Sequence, residues 1–271
     1  MIFYLIGGII SFITVFFWKP LIIEFLLKYN IKVNNYNQKE IPLGTGILLL
    51  LAITIATFFL IFFSDEPIMY FVYLFGLSFI GFAGIIDDFV KESKIKGLRS
   101  HLIRMYQGEL TSGGLKALIG GLAALYISFS FSTNLFDLIA NIMLILFSIN
   151  SMNLFDVRPG RALKIFLGVG TILWIFSKAP DRFLTLLGIG GVLPILKGDL
   201  REEHMLGDVG ANILGYTIGF TEAITLSIRF KMVMVVLLIL LHIIAEITSI
   251  TTIIKKVPFL RYIDDLGRAE K

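Results

Sequence analysis

Residues 67–91 read PIMYFVYLFGLSFIGFAGIIDDFVK, and this stretch decides the fold. Residues 67–86 pass without a charge, long enough for a helix to cross a hydrocarbon core of about 30 Å. The run then ends on Asp87, Asp88 and Lys91, so a spanning helix delivers two carboxylates to one membrane surface. Comparable uncharged runs occur at 43–63 and 117–136. Charged residues make up 16% of the 271 and hydrophobic ones 56%, against about 25% charged in an ordinary soluble domain. This composition excludes a secreted or cytosolic enzyme, a nucleic-acid-binding domain and a disordered chain. Outer-membrane barrels are excluded too, because their strands alternate in polarity. With no cysteine, disulfides, thiolate nucleophiles and Cys-based metal sites are ruled out.

Apolar runs along the chain predict an all-α, polytopic transmembrane bundle of about nine spans in one integral membrane domain, 1–271. The runs are 2–27, 43–63, 67–86, 114–132, 135–152, 162–177, 182–196, 209–228 and 232–254. The first is too long and too free of a cleavage pattern for a removed signal peptide. The sixth and seventh have short uncharged cores, and a re-entrant pair is the alternative there. Lys and Arg in alternate loops set the orientation. One set holds Lys28, Lys32 and Lys39; Lys91, Lys94, Lys96, Arg99 and Arg104; Arg158, Arg161 and Lys164; Lys197 and Arg201; and Lys255, Lys256, Arg261, Arg268 and Lys271. The other holds only Lys178, Arg182, Arg229 and Lys231. The positive-inside rule puts the first set in the cytoplasm, the N-terminus outside and the C-terminus inside, as expected of a multi-pass protein of the cell membrane.

Four polar clusters then fall on the cytoplasmic side. Asp87 and Asp88 are touching carboxylates, which raises one pKa or invites a cation; an interfacial helix end is the plainer reading. In NSMNLFDVRPGR, Asn150, Asn153 and Asp156 recur at i, i+3 and i+6, followed by Arg158 and Arg161, and amides at membrane depth need a protein or water partner. In HMLGDVGAN, Asp208 lies between Gly207 and Gly210 just before a helix, either as an N-cap or beside a ligand at a helix N-terminus. Lys39, Pro42, Gly44 and Gly46 begin the second span. Glu222, His242 and Glu246 lie within the last spans, where mutual pairing explains them as well as function does. Carboxylates, amides and basic residues around a membrane-level cleft suit Mg²⁺ and phosphates.

At these residues the chain resembles the polyprenyl-phosphate N-acetylhexosamine-1-phosphate transferases, the superfamily of phospho-N-acetylmuramoyl-pentapeptide transferase and the WecA-like enzymes. The family's DDxxK motif is similar to Asp87, Asp88 and Lys91, with its Lys-Gly-Leu at Lys96, Gly97 and Leu98. Its NxxNxxDG motif resembles Asn150, Asn153 and Asp156. Its GDxGS motif resembles Gly207, Asp208, Gly210 and Ala211, and its early P-x-x-GG element resembles Pro42, Gly44, Thr45 and Gly46. The resemblance implies transfer of a sugar 1-phosphate from a UDP-sugar to undecaprenyl phosphate, releasing UMP, in cell-envelope glycan synthesis. It implies Asp87, Asp88 and Asp208 as catalytic residues, with Mg²⁺ on Asp208 and Asp88. Lys39, Lys91, Lys96, Asn150, Asn153, Asp156, Arg158 and Arg161 would bind substrate. The implied partners are the lipid phosphate, the nucleotide sugar and the bilayer, with a homodimer as a further possibility and no nucleic acid. The chain departs from the family at Pro159, which stands where a second acidic residue is usual, and at Ala211. It also has no histidine in VPFLRYIDDLGR and stops where a last crossing would follow. These departures keep a second expectation open: a non-catalytic relative that binds polyprenyl phosphate or nucleotide as a sensor or partner subunit.

Overall fold

The computed structural model describes residues 2–35, 37–65, 67–90, 104, 107, 109, 111–176 and 183–268. Among them the chain forms a helical bundle: α1 (Ile2–Lys28), α2 (Gly46–Ile61), α3 (Pro67–Val90), α4 (Ser112–Phe129), α5 (Leu135–Phe155), α6 (Arg161–Phe176), α7 (Phe183–Leu200), α8 (Gly207–Thr225), α9 (Ile228–Ile247), α10 (Ile250–Lys256) and α11 (Pro258–Asp265). Five of these, α1, α3, α4, α5 and α9, are long and apolar enough to cross a membrane, and α2 is a shorter apolar helix. The apolar faces of α1 and α9 are exposed along their lengths, with Phe12, Phe16, Trp18, Val233, Leu237 and Leu240 uncovered. In a bilayer such faces meet lipid at no hydrophobic cost.

The axis of the bundle is α8. Sixteen of its nineteen residues are buried, so it meets neighbours on every side rather than presenting one face. Its sequence makes this feasible. Gly215 and Gly219 lie at i and i+4, and the backbone of α5 at Ile149 and Ile145 approaches so closely that a Cβ at either glycine would collide with it. Small residues at this spacing let helices touch backbone to backbone in an apolar medium. On the other side α3 docks through Tyr73, whose ring stacks on Tyr216 at 5.3 Å and whose hydroxyl meets Thr217 Oγ1 at 2.8 Å.

Two features differ from the sequence reading. Residues between the first two helices form an antiparallel hairpin, β1 (Lys32–Asn34) with β2 (Glu40–Pro42). Its strands are too short to register as a pattern. The last apolar run also does not continue to residue 254. It breaks at Thr248, whose backbone is extended, and restarts as α10 behind Ser249, whose hydroxyl accepts from Thr252 N. Ser and Thr compete with helix through such local bonds. The sixth and seventh runs are two separate helices, α6 and α7. Lys19, inside the first run, donates to the Pro194 carbonyl of α7 at 2.9 Å.

Candidate functional site

Four helix ends meet at one place: the C-terminus of α3, the N-termini of α4 and α8, and the C-terminus of α5. Each brings polar groups for a local reason. At the start of α8, Gly207 has φ +77°, a conformation that favours glycine. This turn aims the first amides of α8 outward, and the Asp88 carboxylate takes them in trans, from Asp208 N at 2.9 Å and Val209 N at 3.2 Å. A Cβ at Gly207 would lie 2.7 Å from Asp88 Oδ2, so the glycine also makes room for the acid. The N-terminus of α8, an expected anion site, is therefore filled by a carboxylate of the chain itself. Asp208 is not the N-cap; that position is Leu206, which makes no side-chain cap bond.

Asp87 points elsewhere. Lys116 Nζ lies 3.0 Å from Asp87 Oδ2 and 2.9 Å from Asp208 Oδ1, with all three side chains partly buried. Two carboxylates 121 positions apart in the chain thus share one cation. The sequence expectation had paired Asp88 with Asp208 on a metal. In the structure each Asp88 oxygen accepts a backbone amide of α8, while Asp87 and Asp208 converge on Lys116. The adjacency of Asp87 and Asp88 explains the split, because neighbours on a helix point about 100° apart.

From α5, Asn153 donates to Asn212 Oδ1 on α8 at 2.8 Å. Asp156, which caps the C-terminus of α5, accepts the Gly207 amide. Burial above all, then the charges of Asp199, Asp208 and Asp88, push the Asp156 carboxyl well above the ordinary carboxylate range. Asn150 does not join them. It is exposed, because a residue six positions before Asp156 stands about 120° away around a helix. The glycine-rich turn before α2 does arrive: Gly44 N and Thr45 N both donate to Met205 O at 3.2 Å, and Thr45 Oγ1 meets His204 Nδ1 at 3.3 Å.

The basic residues are dispersed. Lys39 Nζ lies 3.5 Å from the Glu202 carbonyl on the exposed side of the hairpin. Arg158 flanks a small recess with Asp156, Asp199 and His204. Arg161 is nearly fully buried and makes a bidentate pair with Asp264 of α11, both contacts 2.8 Å, so the side chain expected on substrate ties down the tail instead. Arg268 adds two more bonds to the same carboxylate. Lys91 and Lys96 lie outside the described residues. Glu222 meets Ser148, His242 bonds to Leu238 O and lies edge-on to Phe147, and Glu246 is exposed.

Sequence reasoning missed three residues of this site: Lys116, Asn212 and Asp199. A signal existed for Lys116, since an ionisable residue in an apolar run is expensive and marks function or pairing. Asp199 accepts from Gly160 N at 2.6 Å and Leu206 N at 3.1 Å, joining the loop after Asp156 to the loop before Asp208. Nothing in KGDLREEH distinguishes it from its acidic neighbours.

Asp87 and Asp208 therefore meet on one ammonium, with Asp88 beside them at the start of α8 and Asp156 within reach of the charges of Asp88, Asp199 and Asp208. Among the described residues, no three His, Cys, Asp or Glu side chains form a ready-made metal cluster. Mg²⁺ asks for less, because it is commonly held by one or two carboxylates plus substrate phosphates. Asp87 and Asp208 already converge on a single cation, which fits that requirement. Comparison with protein-family models and with curated proteins finds no match for this chain.

Proposed function

We propose that the chain is a Mg²⁺-dependent glycosyl-1-phosphate transferase of the polyprenyl-phosphate N-acetylhexosamine-1-phosphate transferase superfamily. It would work at the cytoplasmic face of the cell membrane and join a UDP-sugar to undecaprenyl phosphate. One observation carries this reading: Asp87 and Asp208, singled out independently in two motifs, share one cation beside Asp88. In this reading α1 to α9 make nine crossings. The basic loops hold the carboxylate cluster in the cytoplasm, with the N-terminus outside.

In the reaction a lipid-phosphate oxygen attacks the β-phosphorus of the UDP-sugar. The bond from that phosphorus to the bridging oxygen breaks, and UMP leaves. Bound Mg²⁺ supplies positive charge to the diphosphate. Asp208 and Asp87 would hold it, and Asp87 would also orient the lipid phosphate or take its proton. Asp88 sets the position of Asp208 by fixing the first turn of α8 and does not need to touch substrate. Asn153 and Asp156 would bind the nucleotide, and Lys91 and Lys96, outside the described residues, would bind phosphate. An apolar cavity of about 550 Å³, lined by Met152, Phe155, Ile165, Leu238 and Ile253, offers room for the proximal part of the prenyl chain.

The test is incubation of purified protein with undecaprenyl phosphate, Mg²⁺ and a panel of UDP-sugars, following UMP. Asp208→Asn is expected to abolish release while the protein remains folded and membrane-inserted; retained activity would remove the metal role. Absence of UMP with every donor, together with saturable binding of the lipid phosphate, would point to the non-catalytic sensor or partner subunit.

A further inference from the structure

The far end of the bundle holds a second polar cavity that the transfer reaction does not use. Along α8, Ile224 lies sixteen residues beyond Asp208, about 24 Å at the helical rise. There a cavity of about 660 Å³ opens between the start of α3 and the ends of α4, α5, α8 and α9. Its walls are apolar, with Met69, Val72, Phe131 and Phe220. Its charged groups among the described residues are a buried ion pair and an exposed carboxylate at the rim, Asp65, with the hydroxyl residues Ser130 and Thr133 beside them.

The ion pair is the unusual part. Lys231 Nζ lies 2.7 Å from Asp137 Oδ1, and the two side chains are only 7% and 11% exposed. Asp137 is well supplied, because its other oxygen also accepts from Thr133 N at 3.2 Å. Lys231 is not: an ammonium has three donors, and within the described residues its one hydrogen-bond partner is Asp137. Burying two ions costs several kcal/mol each, so a buried pair contributes little net stability. A buried ammonium with donors left over, facing a cavity, calls for an acceptor.

We propose that this cavity binds the headgroup of an aminophospholipid, with the lipid phosphate on Lys231 and its primary ammonium on Asp65. The charges select this class. Among the described lining residues Lys231 and Asp137 cancel, so Asp65 leaves one net negative charge that repels an anionic headgroup. A zwitterionic head satisfies both the ammonium on the floor and the carboxylate at the rim. A quaternary ammonium has no N–H to donate to Asp65, which disfavours choline lipids. Depth agrees with the assignment. Asp65 lies two residues before α3, Asp137 is in the first turn of α5 and Lys231 is near the start of α9, so all three stand at helix ends where headgroups reside, in the leaflet opposite the carboxylate cluster. The apolar walls then accept the first acyl carbons.

The experiment is native mass spectrometry of the full chain released from detergent with equimolar phosphatidylethanolamine, phosphatidylglycerol and phosphatidylcholine of identical acyl chains. The ethanolamine adduct should exceed each of the others about fivefold, the discrimination expected of one rim ion pair. Asp65→Asn should bring the ethanolamine-to-glycerol ratio close to one. The double variant K231M/D137N removes the pair without orphaning a buried charge and should lose the ethanolamine excess altogether. Equal occupancy by the three lipids, a preference for phosphatidylglycerol, or an ethanolamine preference that survives both variants would overturn the proposal. None of these substitutions touches the carboxylate cluster, so the outcome is independent of the transferase reading.

Discussion

Lys116→Met separates the electrostatics of the site from its packing. Methionine keeps most of the volume of the lysine stem but removes the charge that Asp87 and Asp208 share. Because each carboxylate oxygen is about 3 Å from Nζ, the two oxygens stand no more than about 6 Å apart. Two full charges at that distance repel by about 3 kcal/mol at an effective dielectric of about 20. The Asp208 side chain is 38% exposed, so solvent screening reduces this to about 1–2 kcal/mol. For a chain of this size, 1 kcal/mol moves a melting temperature by about 2–4 °C.

The expected result is conditional on metal. In EDTA, the Met variant should melt several degrees below wild type. With millimolar Mg²⁺ the gap should close, because the divalent ion takes the place vacated by the ammonium and need not compete with it. Wild type should gain less from Mg²⁺, since Lys116 already neutralises the pair. The double variant K116M/D208N, with one of the two repelling charges removed, should recover stability in EDTA without responding to Mg²⁺. Thermal unfolding of detergent-solubilised protein followed by intrinsic fluorescence reads all three proteins in both conditions. A Met variant as stable as wild type in EDTA, with the same Mg²⁺ response, would show that Asp87 and Asp208 do not share a cation site.

Three other outcomes follow from single contacts. Asp88→Ala leaves the Asp208 and Val209 amides of α8 without their acceptor, at about 1–3 kcal/mol each; amide exchange in a peptide covering 206–212 should accelerate at least tenfold, and unchanged exchange would remove Asp88 as the cap of α8. Asp264→Ala orphans the buried Arg161 guanidinium, a loss of about 3–5 kcal/mol, and should release α11 to limited proteolysis, whereas a tail that stays protected would show that the bidentate pair does not hold it. His204 is held down to about 4 by burial first and by the Lys19 charge second. Its folded pKa lies below its unfolded value of about 6.5, so the unfolded chain binds the proton first, and its contribution is complete above pH 6.5 and lost as pH falls toward 4. Asp156, with a raised pKa, changes in the opposite sense, so the measurement is the wild-type melting curve minus that of His204→Gln between pH 7.5 and 4.5; a flat difference would refute the assignment.

How much of this was legible in the sequence depends on what each residue answers to. Helices such as α3 and α5 were readable because hydrophobic length is imposed by the bilayer and needs no knowledge of neighbours. That Asp87, Asp88, Asp156 and Asp208 gather at one end of the bundle was readable for a related reason, since each carboxylate stands at the end of an apolar run on the same expected membrane face. Partnership is different in kind. That Asp88 caps α8 while Asp87 meets Lys116 depends on a 100° step around α3 and on the close approach of α3 to the start of α8, where a Cβ at Gly84 or Gly207 would collide with Val209 or Asp88. Arg161 shows the cost of reading charge without partners. As a sequence symbol it is a phosphate ligand, yet Asp264, more than a hundred residues later, claims both faces of its guanidinium fork. Lys116 shows the converse. A lysine within an apolar helix either reaches the interface or pairs with an acid, and the acids ending the preceding apolar run were Asp87 and Asp88. The rule that located the carboxylates, applied to the cation as well, would have made Lys116 a candidate to stand beside them, and the structure makes that pairing with Asp87.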